Sequence, residues 1–103
     1  MPNIFVAANT GSGPLNVAVG SSSGALVAES ATTTIRAGLI VTNLSSGTIY
    51  LAFDGNTALL NAGIALNANG GVWSMDDFTY TKGAVNAIGN ATGMSVAVQE
   101  FYR

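Results

Sequence analysis

The chain contains no histidine and no cysteine. The imidazole and thiolate ligands of ordinary zinc, copper, haem and iron–sulfur sites are therefore missing. So are the groups needed for Cys-His and Ser-His-Asp nucleophilic chemistry. Charge is also scarce. Three cations (Arg36, Lys82, Arg103) and five anions (Glu29, Asp54, Asp76, Asp77, Glu100) leave a net charge of −2. Three scattered cations cannot form the basic footprint that nucleic-acid binding requires. Charged residues make up 8% of the chain, against about 25% in an ordinary soluble domain. No stretch approaches the roughly 18 apolar residues of a membrane helix, which argues against a membrane partner. The opening Met1-Pro2-Asn3-Ile4-Phe5-Val6 has neither the cationic start nor the long apolar stretch of a secretory signal. The lack of cysteine fits synthesis in a reducing compartment.

What is present is small. Thirteen Gly, sixteen Ala, nine Ser, ten Thr and ten Asn account for 58 of the 103 residues. Small side chains each bury little apolar surface, worth about 25 cal/mol per Å². The length suits one domain over residues 1–103 with one core. Such a thin core, without disulfides, favours support from self-association or from docking to something larger. A surface with few charges points the same way.

The pattern along the chain is that of short strands. Residues 36–44 (Arg36-Ala37-Gly38-Leu39-Ile40-Val41-Thr42-Asn43-Leu44) are β-rich and apolar on both faces. This predicts a central strand covered on both sides. Thr48-Ile49-Tyr50-Leu51-Ala52-Phe53 follows after a Ser-Ser-Gly link, and the two runs read as a hairpin. Period two places Ile49, Leu51 and Phe53 on one face. Further strands are expected at 15–19 and 24–28, in preference to an extended arm over residues 7–34, and through the alternating run from Met94 to Tyr102; short apolar pieces also stand at 58–60, 64–66, 72–75, 78–80 and 83–88. Asn67-Ala68-Asn69-Gly70-Gly71 and Gly89-Asn90-Ala91-Thr92-Gly93 are turns by composition. Thr10-Gly11-Ser12-Gly13-Pro14 reads as a loop, and residues 1–10 as an extended N-terminal arm. Turns every eight to twelve residues indicate an all-β fold: a small antiparallel β-sandwich or a jelly-roll-like barrel.

Few residues carry chemistry. Adjacent strand residues point to opposite faces, so Asp76-Asp77 is better read as a solvated loop than as a hard-metal or acid–base pair. Asp54-Gly55-Asn56-Thr57 has the residues of a turn and lacks the later acid of a calcium loop. No Gly-rich phosphate motif is complete. No catalytic, metal or cofactor residues are assigned, and the chain is expected not to be an enzyme. Arg36 opens the β-rich run. It has Glu29, Asp54 or Glu100 as candidate partners, or a carboxylate on a binding partner. The aromatics Tyr50, Trp73, Phe78, Tyr80, Phe101 and Tyr102 suit core or interface anchors better than a sugar-stacking platform.

One longer cadence is present. Arg36 precedes Leu39-Ile40-Val41-Thr42-Asn43-Leu44-Ser45. Ile49-Tyr50-Leu51-Ala52-Phe53, Gly63-Ile64-Ala65-Leu66, Gly83-Ala84-Val85-Asn86-Ala87-Ile88 and Val96-Ala97-Val98-Gln99-Glu100 follow. Over residues 36–100 this resembles small β-sandwich virion proteins of tailed bacteriophages, of the capsid decoration or cement type. The resemblance implies a non-enzymatic protein, made in the host cytoplasm, that binds the assembled capsid surface in the virion. Its implied partners are the major capsid protein and copies of itself, as a homotrimer. Ile4, Phe5 and Val6 would anchor the arm on the capsid, with Arg36 as a further contact. The alternative is a head-fibre or tail-tip adhesion module that binds a host-surface glycan.

Overall fold

The longest strand shows how this sequence selects its fold. Met94, Val96 and Val98 are buried, while Ser95, Ala97 and Gln99 alternate with them at half exposure. That period of two gives a strand with one face on a core. In the computed structural model the described residues are 10–11, 15–30, 35–76 and 81–102. They form nine strands: β1 (Thr10–Gly11), β2 (Leu15–Val19), β3 (Gly24–Val27), β4 (Arg36–Asn43), β5 (Ile49–Ala52), β6 (Ile64–Leu66), β7 (Val72–Ser74), β8 (Val85–Gly89) and β9 (Met94–Tyr102). No helix occurs among these residues, so none is long and apolar enough to cross a membrane.

The chain is an antiparallel ribbon folded on itself and then rolled. β1 and β2 both pair with β9, β3 with β8, β4 with β7, and β5 with β6. Rolling adds two pairings, β4 with β9 and β5 with β8. One sheet has β9 and β4 at its centre, β7 at one edge, and β1 with β2 end to end along the other. The second sheet runs β3-β8-β5-β6. With β1 and β2 taken as one interrupted strand, this is the strand order of an eight-stranded jelly roll. The expected all-β sandwich is therefore the observed architecture.

The core lies between the sheets. β4 and β9 supply Leu39, Val41, Val96 and Val98 from one side. β5 and β8 supply Ile49, Leu51, Val85 and Ala87 from the other. A fully buried Val, Leu or Ile contributes about 1.5–3 kcal/mol.

β4 and β5 do not form the expected hairpin. They belong to different sheets and face each other across the core. Residues 44–48 form an arch between layers, held by Asn43. This side chain is fully buried, and Nδ2 donates to the carbonyls of Gly47 (2.8 Å), Leu66 (2.9 Å) and Asn67 (3.1 Å). Its Oδ1 accepts from the Ser45 N–H at 2.8 Å. β4 is central in its sheet, but only one of its faces is covered. Ile40, on the outer face, is 38% exposed.

Thr10 and Gly11 pair with Tyr102 and Phe101 instead of belonging to an arm or loop. Residues 1–9, with the proposed anchors Ile4, Phe5 and Val6, lie outside the described residues.

Candidate functional site

Arg36 is at the first position of β4, as expected, and Glu100 is its carboxylate partner. Along β4 the core row runs through Leu39, Val41 and Asn43. Strict alternation would turn Arg36 to the outer face. Instead, the register with β9 shifts between Arg36 and Gly38. That extra residue resets the parity and points Arg36 inward. The side chain is 0% exposed. Nε donates to Glu100 Oε2 at 2.8 Å. The terminal nitrogens donate to the carbonyls of Thr81 (3.0 Å), Gly83 (2.9 Å) and Ala28 (2.7 Å), which lie beside β8 and β3 of the other sheet. Arg36 is thus a clamp between sheets and presents no donor at the surface of this chain. Beside it, the Tyr102 hydroxyl donates to Glu100 Oε1 at 2.9 Å. Burial, together with this bond to a carboxylate, raises the phenol above its ordinary 10.0.

The described aromatics are dispersed. Tyr50 sits on the outer face of the four-stranded sheet and donates to Asn61 Oδ1 at 3.0 Å. Phe101 packs beside Gly38. Phe78 and Tyr80 lie outside the described residues. Among the described aromatics only Phe53 and Trp73 meet, with ring centroids 4.7 Å apart and planes tilted by 41°.

That ring pair marks the candidate site. Among the described residues β6 and β7 are the edge strands of the two sheets on one side of the sandwich. Between them opens a cleft of about 600 Å³. Its lining includes the buried Leu51, the ring pair Phe53 and Trp73, and the aliphatic side chains of Leu59, Ala62 and Ile64. Ala52, Asp54, Asn56, Thr57 and Gly63 complete the lining, and among the described residues Asp54 is its one titratable group. The volume lies within the range of small-molecule and side-chain pockets. Leu59 and Ile64 are 60% and 37% exposed, and Val72 on the adjoining β7 is 61% exposed.

The local sequence explains the cleft. Asp54 and Gly55 both take positive φ, 61° and 78°, and the Asn56 N–H returns to the Phe53 carbonyl at 3.2 Å. This is the tight turn expected of an Asp-Gly pair. The following segment is pinned over the outer face of the four-stranded sheet. Asn86 Nδ2 donates to the Asn56 carbonyl at 2.7 Å, and the Ala58 N–H donates to Ser23 Oγ at 2.9 Å. Gly63 then brings the chain back into β6. Its φ is +79°, and an added Cβ would lie 2.5 Å from the Leu51 carbonyl oxygen. Gly63→Ala is therefore expected to lower stability by about 1–3 kcal/mol, read as a lower urea midpoint.

The cleft can hold an apolar side chain or a small apolar ligand, with a few polar groups at its rim. Among the described residues no group of three or more acidic side chains could hold a metal ion. Asp76 is exposed, and Asp77 lies outside the described residues. Composition and periodicity did not mark the cleft, because most of its lining comes from the irregular segment between β5 and β6, which follows no repeat. The one signal was the Ile49–Leu51–Phe53 row, which carries an aromatic past the end of β5. Compared with family models, curated proteins and solved structures, the chain matches none.

Proposed function

We propose that this protein is a non-enzymatic docking module, a phage capsid decoration or cement protein that binds the assembled capsid surface. The observation that carries this reading is the open apolar cleft between β6 and β7, rimmed by exposed Leu59 and Ile64. Apolar clefts of this kind receive an anchor side chain from a protein partner, and a few such anchors dominate binding energy. A shell is stabilised when the module binds the assembled surface and not the free subunits. The partners in this reading are the major capsid protein and further copies of the chain. The apolar segment Ile4-Phe5-Val6 would add a second contact by extending a capsid strand.

The test is occupancy on undecorated capsids. Leu59→Asp puts a charge at the cleft mouth, where the native side chain is 60% exposed, so the fold should survive. Its affinity is expected to fall roughly thirty-fold, the equivalent of about 2 kcal/mol. Removing residues 1–9 should weaken binding independently. Wild-type occupancy by both variants would reject the docking role.

The second reading is an adhesion module for a host-surface glycan. Trp73 and Phe53 beside Asp54, Asn56 and Thr57 favour it, because sugars pack on rings and hydrogen-bond to nearby polar groups. Against it, the rings are tilted and the lining is mostly apolar. Binding to a glycan array that is lost in Trp73→Ser, with no capsid binding, would select this reading.

A further inference from the structure

A sheet edge exposes unpaired N–H and C=O groups, and folded proteins blunt their edges with short strands, bulges, charge or proline. β6 and β7 are three residues each. β3 is interrupted by a register shift between Ala25 and Val27. β2 has none of these devices. It runs for five residues in unbroken register with β9, and Leu15-Asn16-Val17-Ala18-Val19 contains neither charge nor proline. Among the described residues no strand pairs with its other side.

A second observation concerns what β2 leaves uncovered. Leu15, Val17 and Val19 share the row that faces the core. Val19 is 4% exposed, yet Leu15 on the same row is 50% exposed. A large apolar side chain aimed at the core layer but half in water is what one more strand would cover.

We propose that β2 is a self-association edge, where two copies of this chain pair β2 antiparallel about a two-fold axis. The two five-stranded sheets then join into one. A second copy is the fitting occupant because the strand is complementary to itself. Centred on Val17, the pairing sets Leu15 beside Val19 of the partner subunit, and Asn16 beside Ala18 of the partner subunit. The half-exposed leucine then lies next to a valine at both ends of the seam. Neither strand carries a charge that would repel its copy or select a charged peptide instead. The contact is isologous, so it closes at two copies. One strand pair buries less than the roughly 800 Å² per partner of a standard interface, so the dimer is weak and depends on concentration. The pairing is a property of the isolated chain and stands or falls separately from capsid binding.

The experiment is sedimentation equilibrium from about 10 µM to about 1 mM, concentrations that bracket a weak complex. A monomer–dimer equilibrium is expected. Leu15→Lys places a charge opposite the apolar row at a site already half exposed, and should raise the dissociation constant at least about ten-fold. Val17→Cys puts a thiol on the axis, facing its own copy, in a chain that has no other cysteine. Mild oxidation should give a disulfide-linked dimer. A monomer throughout the range, or a trimer, overturns the proposal. So does a dimer that tolerates Leu15→Lys unchanged or fails to cross-link through Val17→Cys.

Discussion

Replacing Arg36 with methionine is expected to lower the unfolding free energy by about 3–5 kcal/mol in urea titration. Against a typical total of about 5–15 kcal/mol, this leaves much of the protein unfolded at 37 °C. The loss has two sources. Glu100 loses its cation at 2.8 Å, and the carbonyls of Ala28, Thr81 and Gly83 lose their donors. A double-mutant cycle separates them. Glu100 keeps 15% of its side-chain surface exposed, so Glu100→Gln alone should cost less. Adding it to Arg36→Met should recover the ion-pair part and leave the carbonyl part. Full recovery in the double variant would show that the three carbonyl bonds contribute nothing, and the account of Arg36 as a sheet-to-sheet clamp would fail.

The second large effect belongs to the other end of β4. Asn43→Ala is expected to cost about 2–4 kcal/mol, because buried acceptors lose both N–H donors and the Ser45 N–H loses its acceptor. Asn43→Asp is the sharper probe, since it keeps the shape and replaces the donors with oxygen. A carboxylate facing the carbonyls of Gly47, Leu66 and Asn67 is penalised by burial and repulsion, so its folded-state pKa rises above the unfolded value of about 3.9. The folded variant then binds its proton more tightly than the unfolded chain does. Stability is therefore retained below that unfolded value and lost as pH rises through the folded pKa. Unfolding curves from pH 3 to pH 8 that parallel the wild type would count against the buried geometry of Asn43.

These two residues also mark where the sequence was legible. Alternation identified β5 and β9, because each buries one face and a period of two is visible over four or more residues. The same alternation misread the connection from β4 to β5. Both runs present apolar rows to the core whether they pair side by side or face each other, and a short Ser-Ser-Gly link serves either geometry. Asn43 held the missing information. It is a polar residue on the buried row beside the link, placed where an arch needs internal donors. Arg36 is harder to read, since strict alternation along β4 would turn it outward and a one-residue bulge turns it inward. Nothing in composition marks that bulge. The cleft was less visible still, because its lining is mostly the irregular stretch between β5 and β6, where no period of two reports which side chains turn inward.

The rolled order also bears on how the protein is made. β9 comes after every other described strand in the chain, yet it is the neighbour of both β2 and β4. While a ribosome holds back residues 94–102, the first sheet lacks one of its two central strands, and β2 and β4 wait as apolar segments with open edges. Folding of this sheet is therefore expected to wait until residues 94–102 have left the ribosome. During that interval the nascent chain exposes its greatest aggregation hazard, and a chaperone would be most useful there.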